Sequence, residues 1–351
     1  MYKIPLAEAK NFIAKAANIK PNTTLPVLAY LRVQFSGQKI ILVKNNLKAF
    51  IIQSFDTQEL FGQTAQFLID ERIFNNFVNS ASADVGIELL NATSIRMSDG
   101  FTEILSPTED AAHFPLNYDP DTIKPETICQ LDAHFVADSQ VAKNFIIEHD
   151  IPQLANHVFV GHNFICASDS MIGYKVGTTC AGTICLTMDA LNGLKSLLSA
   201  QYSENDSYHI FTGEGCVLGF VKTEINFFDL YQKIELPDEL PAFTINRESL
   251  IKFCNLCSNS SPSRTAKATL RVDGRKILAN FTDSEFNVTV DREFVWPDTY
   301  ECELRFLPAN MIRILNNMVC ENVQFIPSED QKRFYITDKE RTFTSLIMQI
   351  L

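Results

Sequence analysis

Residues 9–13 read AKNFI, and the same five letters return at residues 142–146, 133 positions further along the chain (142 − 9). Both copies lie in segments with the period of an amphipathic helix. In the first, Leu6, Ala9, Ile13 and Ala16 recur at three-to-four spacing, while Lys10, Asn11 and Lys15 point elsewhere. In the second, Val141, Phe145 and Ile146 take the apolar face, with Asp138 or Ser139 as the N-cap. A third helix of this kind lies in NRESLIKFCNLC (246–257), with Leu250, Phe253, Cys254 and Cys257 inward and Arg247 and Lys252 outward.

The segments after these helices are also alike. After the first comes LRVQFSGQKIILV (31–43), where Leu31, Val33 and Phe35 alternate with polar residues before a Ser-Gly turn. After the second comes HVFVGHNFICAS (157–168), with the turn at Gly161, and after the third ATLRVDGRKILANF (268–281), with a hairpin signal at Asp273–Gly274. The shared order is helix, strand, tight turn, strand, strand.

A related block fills each interval: IDERIFNNFVNS (69–80) with Ile73, Phe74, Phe77 and Val78 on one face, TMDALNGLKSLLS (187–199) with Leu191, Leu194 and Leu198, and LPANMIRILNNMV (307–319) with Met311, Leu315 and Met318. Their midpoints, Asn76, Leu194 and Ile314, are 118 and 120 residues apart (194 − 76, 314 − 194). The pattern predicts six helix-plus-strands modules in three domains of two. The polar, proline-bearing stretches YDPDTIKPET (118–127) and IELPDELPAF (234–243) divide them into 1–121, 122–241 and 242–351. Two helices against antiparallel strands in each domain make the fold class α+β.

The totals agree with a multidomain globular chain: 351 residues exceed one typical core, with 46% apolar and 21% charged residues. No run of eighteen apolar residues spans a membrane, and MYKIPLAEAKNF lacks the layout of a signal peptide, so the expected location is the cytoplasm. Nine cysteines, none before Cys129, read as buried small hydrophobes in a reducing compartment. Cys254 and Cys257 in CNLC have no second pair or histidine partner at zinc-site spacing, so no metal is expected. No catalytic site is legible either. GEGCVLG (213–219) lacks the Lys-Ser/Thr of a phosphate loop, the six histidines form no metal-binding pair, and the acids of FTDSEF and FPLNYDPDT read as solvated loop residues. A net charge of −12 disfavours nucleic acid unless the basic residues are segregated onto one face.

Several segments, in order, resemble one family, the bacterial DNA sliding clamp, which is the β subunit of the replicative DNA polymerase III. NTTLPVLAYLRVQF (22–35) is similar to its Leu-Pro-Ile-Leu stretch, and FTEILSPTEDAAHFP (101–115) to the segment closing domain one on Phe-Pro. ASDSMIGYKV (167–176) stands where the family has an Ala-Thr-Asp-Gly-His-Arg-Leu-like run, FFDLYQKIELP (227–237) where it has Phe-Pro-Asp-Tyr…Leu-Pro, and SLIMQIL (345–351) where it ends on Met-Pro-Met-Arg-Leu.

The resemblance implies two chains closed head-to-tail into a ring, with helices lining a hole threaded by duplex DNA and sheets outside. It implies no enzymatic activity and no cofactor. The lining would draw on Lys10, Lys15, Lys20, Arg72, Lys143, Lys195, Arg247, Lys252 and Arg313. Such phosphate contacts are sequence-blind and salt-labile. Replicative polymerase, clamp loader and other clamp-motif proteins would insert a peptide into a groove involving Leu154, Ser168, Asp169, Met171, Ile172, Phe228, Ile234, Met348, Ile350 and Leu351. Phe101 matches an aromatic position at the homodimer interface. The departures are Ser170-Met171-Ile172-Gly173 for Gly-His-Arg-Leu, Phe228 for a proline, and the missing Met-Pro-Met-Arg; they imply an apolar groove of different shape. The alternative is a divergent paralogue acting as a non-encircling protein scaffold.

Overall fold

The structure is a computed structural model of the 351-residue chain. It describes all residues except 1, 21–23, 58–63, 117–125, 148–154, 181, 224, 226–233, 237–241, 264, 274–275, 287, 296–300, 331, 341 and 350–351. Most of the first expected linker and half of the second fall among these, as does Gly274. The described residues form six α-helices and 24 strands in antiparallel sheets, an α+β fold.

Every module has the form strand, helix, strand, strand, strand. Module 1 is β1 (Tyr2–Ile4), α1 (Leu6–Ala16), β2 (Tyr30–Ser36), β3 (Lys39–Asn45) and β4 (Ala49–Asp56). Module 2 is β5 (Ala65–Asp70), α2 (Glu71–Ser80), β6 (Val85–Asn91), β7 (Ser94–Ser98) and β8 (Glu103–Pro107). Module 3 is β9 (Thr127–Leu131), α3 (Ala133–Lys143), β10 (His157–Gly161), β11 (Phe164–Ser168) and β12 (Ile172–Gly177). Module 4 is β13 (Ile184–Thr187), α4 (Met188–Leu194), β14 (Ala200–Glu204), β15 (Tyr208–Gly213) and β16 (Cys216–Val221). Module 5 is β17 (Phe243–Asn246), α5 (Arg247–Ser260), β18 (Ala268–Asp273), β19 (Lys276–Asp283) and β20 (Val288–Val295). Module 6 is β21 (Cys302–Phe306), α6 (Pro308–Leu315), β22 (Asn322–Pro327), β23 (Arg333–Thr337) and β24 (Phe343–Met348).

The leading strand is the part the sequence pattern omits, because three to six residues barely express a two-residue alternation. It has a consistent use. Leading strands are exchanged within consecutive pairs: β1 joins β6 and β5 joins β2, β9 joins β14 and β13 joins β10, β17 joins β22 and β21 joins β18. Two further pairings, β4 with β16 and β12 with β24, fuse half-sheets into two eight-stranded sheets. Two four-stranded sheets remain, ordered β1-β6-β7-β8 and β20-β19-β18-β21.

The chain divides into two compact units, Met1–Val136 with Leu186–Thr223, and Ala137–Cys185 with Glu224–Leu351. Each holds one eight-stranded and one four-stranded sheet. In the first, Phe12 of α1 and Phe74, Phe77 and Val78 of α2 are buried. Each such side chain contributes about 1.5–3 kcal/mol relative to exposure. Lys44 is also buried. Its ammonium donates to the Ala16 carbonyl at 3.0 Å and to Glu71 Oε1 at 2.6 Å, tying the C-terminus of α1 to the N-terminus of α2. A cation at one helix end and an acid at the other also suit the two helix dipoles. At the joint between β4 and β16, Gly219 faces Phe50, and a Cβ on Gly219 would lie 2.1 Å from that ring. Only glycine admits the aromatic there.

Four expectations are corrected. The AKNFI copies are not equivalent: Ala9 is the fourth residue of α1, counting from Leu6, whereas Ala142 is the tenth of α3, counting from Ala133. The helix carrying the second copy starts earlier than its apolar letters suggest. Asp132 Oδ1 accepts from Phe135 N at 2.9 Å, while Asp138 and Ser139 lie inside the helix. Leu198 is 75% exposed and Leu197 is buried in its place, because α4 ends at Leu194 and the helical period stops with it. Gly161 ends β10; the left-handed turn residue is Asn163 (φ 64°), and Gly161 is needed because the Phe164 ring covers it.

The repeat that the structure does carry is a turn. In five modules an Asp or Asn between the third and fourth strands accepts two backbone N–H groups. Asn46 takes Lys48 and Ala49, Asp99 takes Phe101 and Thr102, Asp169 takes Met171 and Ile172, Asp283 takes Glu285 and Phe286, and Asp338 takes Thr342 and Phe343. Four of the five follow a Ser or Thr: Ser98, Ser168, Thr282 and Thr337. These side chains supply the turn's hydrogen bonds locally. Module 4 instead has Gly213-Glu214-Gly215, with left-handed φ at Glu214 and Gly215.

His209 on β15 gives the first unit a pH dependence. Its ring nitrogen contacts the Tyr202 hydroxyl at 2.9 Å, and that hydroxyl donates to Glu204, which also pairs with Lys222. Burial, reinforced by the Lys222 charge and only partly opposed by Glu204, lowers the imidazole from 6.5 to about 4. The unfolded chain therefore binds the proton first as pH falls. Stability from this group is complete above about pH 6.5 and lost on the way down to about pH 4. Unfolding by urea at pH 7 and pH 5 should show a loss of about 2 kcal/mol, largely absent in His209→Phe.

Candidate functional site

The nine basic residues proposed to meet phosphate fall into three groups. Lys10 on α1 and Lys195 at the end of α4 are exposed, with no carboxylate at ion-pair distance among the described residues. Lys20 is exposed and Lys143 half-exposed. The rest are engaged by the chain itself. Arg72 is 88% exposed, but its guanidinium lies 3.1 Å from Asp70, which also caps α2 through the Arg72 and Ile73 N–H groups. Lys252 is hydrogen-bonded to Glu248 at 2.7 Å, one helical turn back, which holds that exposed carboxyl below the usual glutamate value. Arg247 is half-buried, and its Nε donates to the Leu315 carbonyl at 2.7 Å, at the end of α6.

Two of the nine are turned toward carboxylates of the chain itself. Lys15 is only 2% exposed: α1 turns it inward, and its ammonium reaches Glu214 at 3.3 Å. Glu214 also accepts from Leu198 N at 3.3 Å. The long aliphatic stem passes for polar in a sequence pattern yet packs as apolar. Arg313 on α6 is one-third exposed and donates through its terminal nitrogen to Asp169 Oδ2. Neither presents a free cation.

Asp169 belongs to the groove set, and its surroundings show what that set does. Its other oxygen accepts from Met171 N and Ile172 N, both at 2.8 Å, closing the turn between β11 and β12. Ser168 Oγ donates to the Ile172 carbonyl at 2.9 Å and accepts from Ser170 N at 3.1 Å. Asp169 is buried, and both of its oxygens are taken up within the chain.

Ile172 and Ile234 are both buried. Ile234 sits in a cluster with Phe159, Cys166, Ile326, Tyr335 and Leu346, and its Cδ1 lies 2.9 Å from the position a Cβ on Gly173 would occupy. Glycine at 173, where the resembling family has leucine, makes room for that isoleucine. The exposed apolar groups of the set are Met171 and Met348, each 37% exposed and adjacent because Met348 N donates to the Met171 carbonyl at 2.9 Å. Leu154, Phe228, Ile350 and Leu351 lie outside the described residues.

Phe101 is 85% exposed in the turn before β8, and Leu105 on that strand is 63% exposed. The turn is held by Asp99, whose carboxyl lies below its ordinary value because Ser82, Thr102 and Phe101 N–H groups donate to it. Leu105 escaped the sequence reading, although the alternation in Glu103–Pro107 marks it as facing away from Ile104.

No cluster of three potential metal ligands occurs among the described residues. Cys254 and Cys257 face the core of α5's packing, and burial pushes Cys257 up to about 12. No helix among the described residues is long and apolar enough to cross a membrane.

The whole chain has counterparts among solved structures. A putative DNA polymerase III β subunit from Eubacterium rectale superposes with a TM-score of 0.86 at 14% identity over 99% of both chains. The chain has the sliding-clamp fold. The Caulobacter crescentus DNA polymerase sliding clamp matches with a TM-score of 0.85 at 13% identity, over 100% of this chain and 99% of that one. The Helicobacter pylori β clamp, solved bound to a DNA ligase peptide, matches with a TM-score of 0.82 at 15% identity over the same shares. In sequence, the chain matches no protein-family model and no curated protein.

Ser170, at the turn beside Met171, has φ 78°, a left-handed conformation that costs a residue with a Cβ about 1–2 kcal/mol. Ser170→Gly should therefore raise stability by roughly 0.5–1 kcal/mol, after allowing for glycine's greater freedom in the unfolded chain. The denaturation midpoint checks this.

Proposed function

We propose that the chain is a cytoplasmic, non-enzymatic DNA sliding clamp. Two copies close into a ring around duplex DNA, which tethers replication proteins carrying short apolar peptides. The exchange of leading strands supports three domains of two modules each, divided near residues 121 and 241.

One observation carries the ring reading. Each fused sheet joins an odd module to the even module three further on: the fourth strand of module 1 to that of module 4, and of module 3 to that of module 6. Continuing the series joins module 5 to the second module of another copy. Their fourth strands, β20 and β8, stand at the ends of the two four-stranded sheets. A second copy, related by a closing operation, would use both unpaired edges and complete two more eight-stranded sheets. Exposed Phe101 and Leu105 lie where that contact would form.

In the ring, the helices supply a weakly basic lining. Exposed Lys10 and Lys195, with no carboxylate at ion-pair distance among the described residues, are the principal phosphate contacts. Few contacts mean weak affinity and a shallow salt dependence, so retention rests on encirclement. The acidic surplus outside repels unthreaded DNA. The H. pylori clamp's ligase peptide suggests the docking mode, with Met171 and Met348 as the exposed apolar groups that an incoming anchor would meet.

Loaded on nicked circular DNA, the protein should persist through gel filtration, and linearising the circle should release it. Lys10→Glu with Lys195→Glu should lower loading severalfold while the two-copy mass is unchanged. Equal retention on linear and circular DNA would support the non-encircling scaffold instead. Met348→Asp should weaken binding of a clamp-motif peptide at least about tenfold, since a charge then sits at an apolar anchor site.

A further inference from the structure

The two joints inside the chain share one register, which can be read rung by rung. At the first, Asn45, just before the turn residue Asn46, faces Phe50, which faces Gly219, which faces Ile210. At the second, Ser168, just before Asp169, faces Gly173, which faces Leu346, which faces Tyr335. Ile210 and Tyr335 are equivalent: each stands two residues before a threonine, Thr212 or Thr337, at the end of the third strand. The row thus starts from the pre-turn residue of the odd module and ends two residues before the pre-turn hydroxyl of the even one.

Modules 5 and 2 supply the same markers. Thr282, just before Asp283, faces Thr289. Ser98, just before Asp99, has Arg96 two residues earlier, and Arg96 faces Leu105. We infer that β20 of one copy pairs with β8 of the other with Thr289 opposite Leu105, Val290 opposite Ile104 and Asp291 opposite Glu103. This inference rests on the ring reading above.

Side-chain facing tests the register independently. Val290 shares a rung with buried Phe281, and Ile104 one with buried Met97, so both half-buried residues face their sheets' core side. Leu105, Glu103, Thr289 and Asp291 are exposed on the other face. The inferred pairing sets core face against core face; a slip of one residue would set Leu105 against Val290 and reverse every partner.

The consequence is a like-charge pair. At the equivalent rung the internal joints carry Ile52 opposite Val217 and Lys175 opposite Thr344. The joint between copies instead sets Asp291 directly opposite Glu103. Arg96 reaches Glu103 at 3.4 Å but also serves Glu88 at 3.6 Å, and Asn280 Nδ2 donates to Asp291 at 2.6 Å. Like charges directly opposite destabilise strand pairing, so this rung weakens the joint between copies where its internal counterparts carry no such pair.

The test uses the full chain in a C129S/C320S background, which removes the two partly exposed thiols. L105C and T289C proteins, mixed under mild oxidation, should form an intermolecular disulfide. L105C mixed with D291C, two residues along on the same face, should form roughly tenfold less, because cross-strand disulfides need closely opposed Cα atoms. Asp291→Asn should tighten two-copy assembly by roughly 1.5- to 5-fold in sedimentation. Preferential cross-linking through D291C, with two-copy mass retained, would overturn the register and leave the ring intact. Unchanged assembly in Asp291→Asn would overturn the charge argument. A single-copy mass with no cross-link in either mixture would overturn the ring reading itself.

Discussion

A strand at the end of a sheet leaves a row of backbone N–H and C=O groups without partners, and this chain is organised around joining such rows. Each module ends in a fourth strand, and four of the six fourth strands meet across two internal joints. The joints are specified by side chains as well as by backbone. Gly219 admits Phe50 at one, and Gly173 makes space for Ile234 beside the other. Strands β8 and β20 are the two fourth strands left at sheet ends. The proposed assembly comes from extending to them the rule that the others obey.

The polar chemistry is directed inward to the same end. Lys44 ties two helices, Glu214 holds Lys15, and Asp169 spends one oxygen on its turn and the other on Arg313. Charges that a sequence reading assigns to a ligand are therefore largely consumed by the fold. In the proposed ring that is no handicap: a sparse lining would lower affinity for phosphate while leaving the enclosure in place. A net charge of −12 is compatible with such a role.

The fold was legible because six amphipathic helices, each followed by alternating strands, survive at the level of pattern. Their bounds and inward faces hold closely for α2, α5 and α6, where apolar spacing is clean. The repeated AKNFI pointed to the right conclusion through an accidental likeness, since its copies sit at different helix positions. The dependable signature was the Ser/Thr-Asp pair before four of the turns, a pair whose side chains build the turn and cannot drift freely. The site was less legible. Whether Lys15 is a solvated cation or a buried partner depends on Glu214, nearly two hundred residues away, and no local pattern encodes that pairing. Ile172 and Ile234 entered the groove set through the family resemblance, which carries positions but not the packing that buries both side chains here.

The proposed ring requires β8 and β20 to be edges in one copy and interior strands in the assembly. Amide hydrogen exchange, read strand by strand across a dilution series, tests this most directly. Amides in Glu103–Pro107 and Val288–Val295 are predicted to be protected at high protein concentration and to lose protection together on dilution, while β4, β12, β16 and β24 stay protected throughout. Exchange of both edges that is rapid at every concentration, or protection that ignores dilution in a single-copy protein, would contradict it.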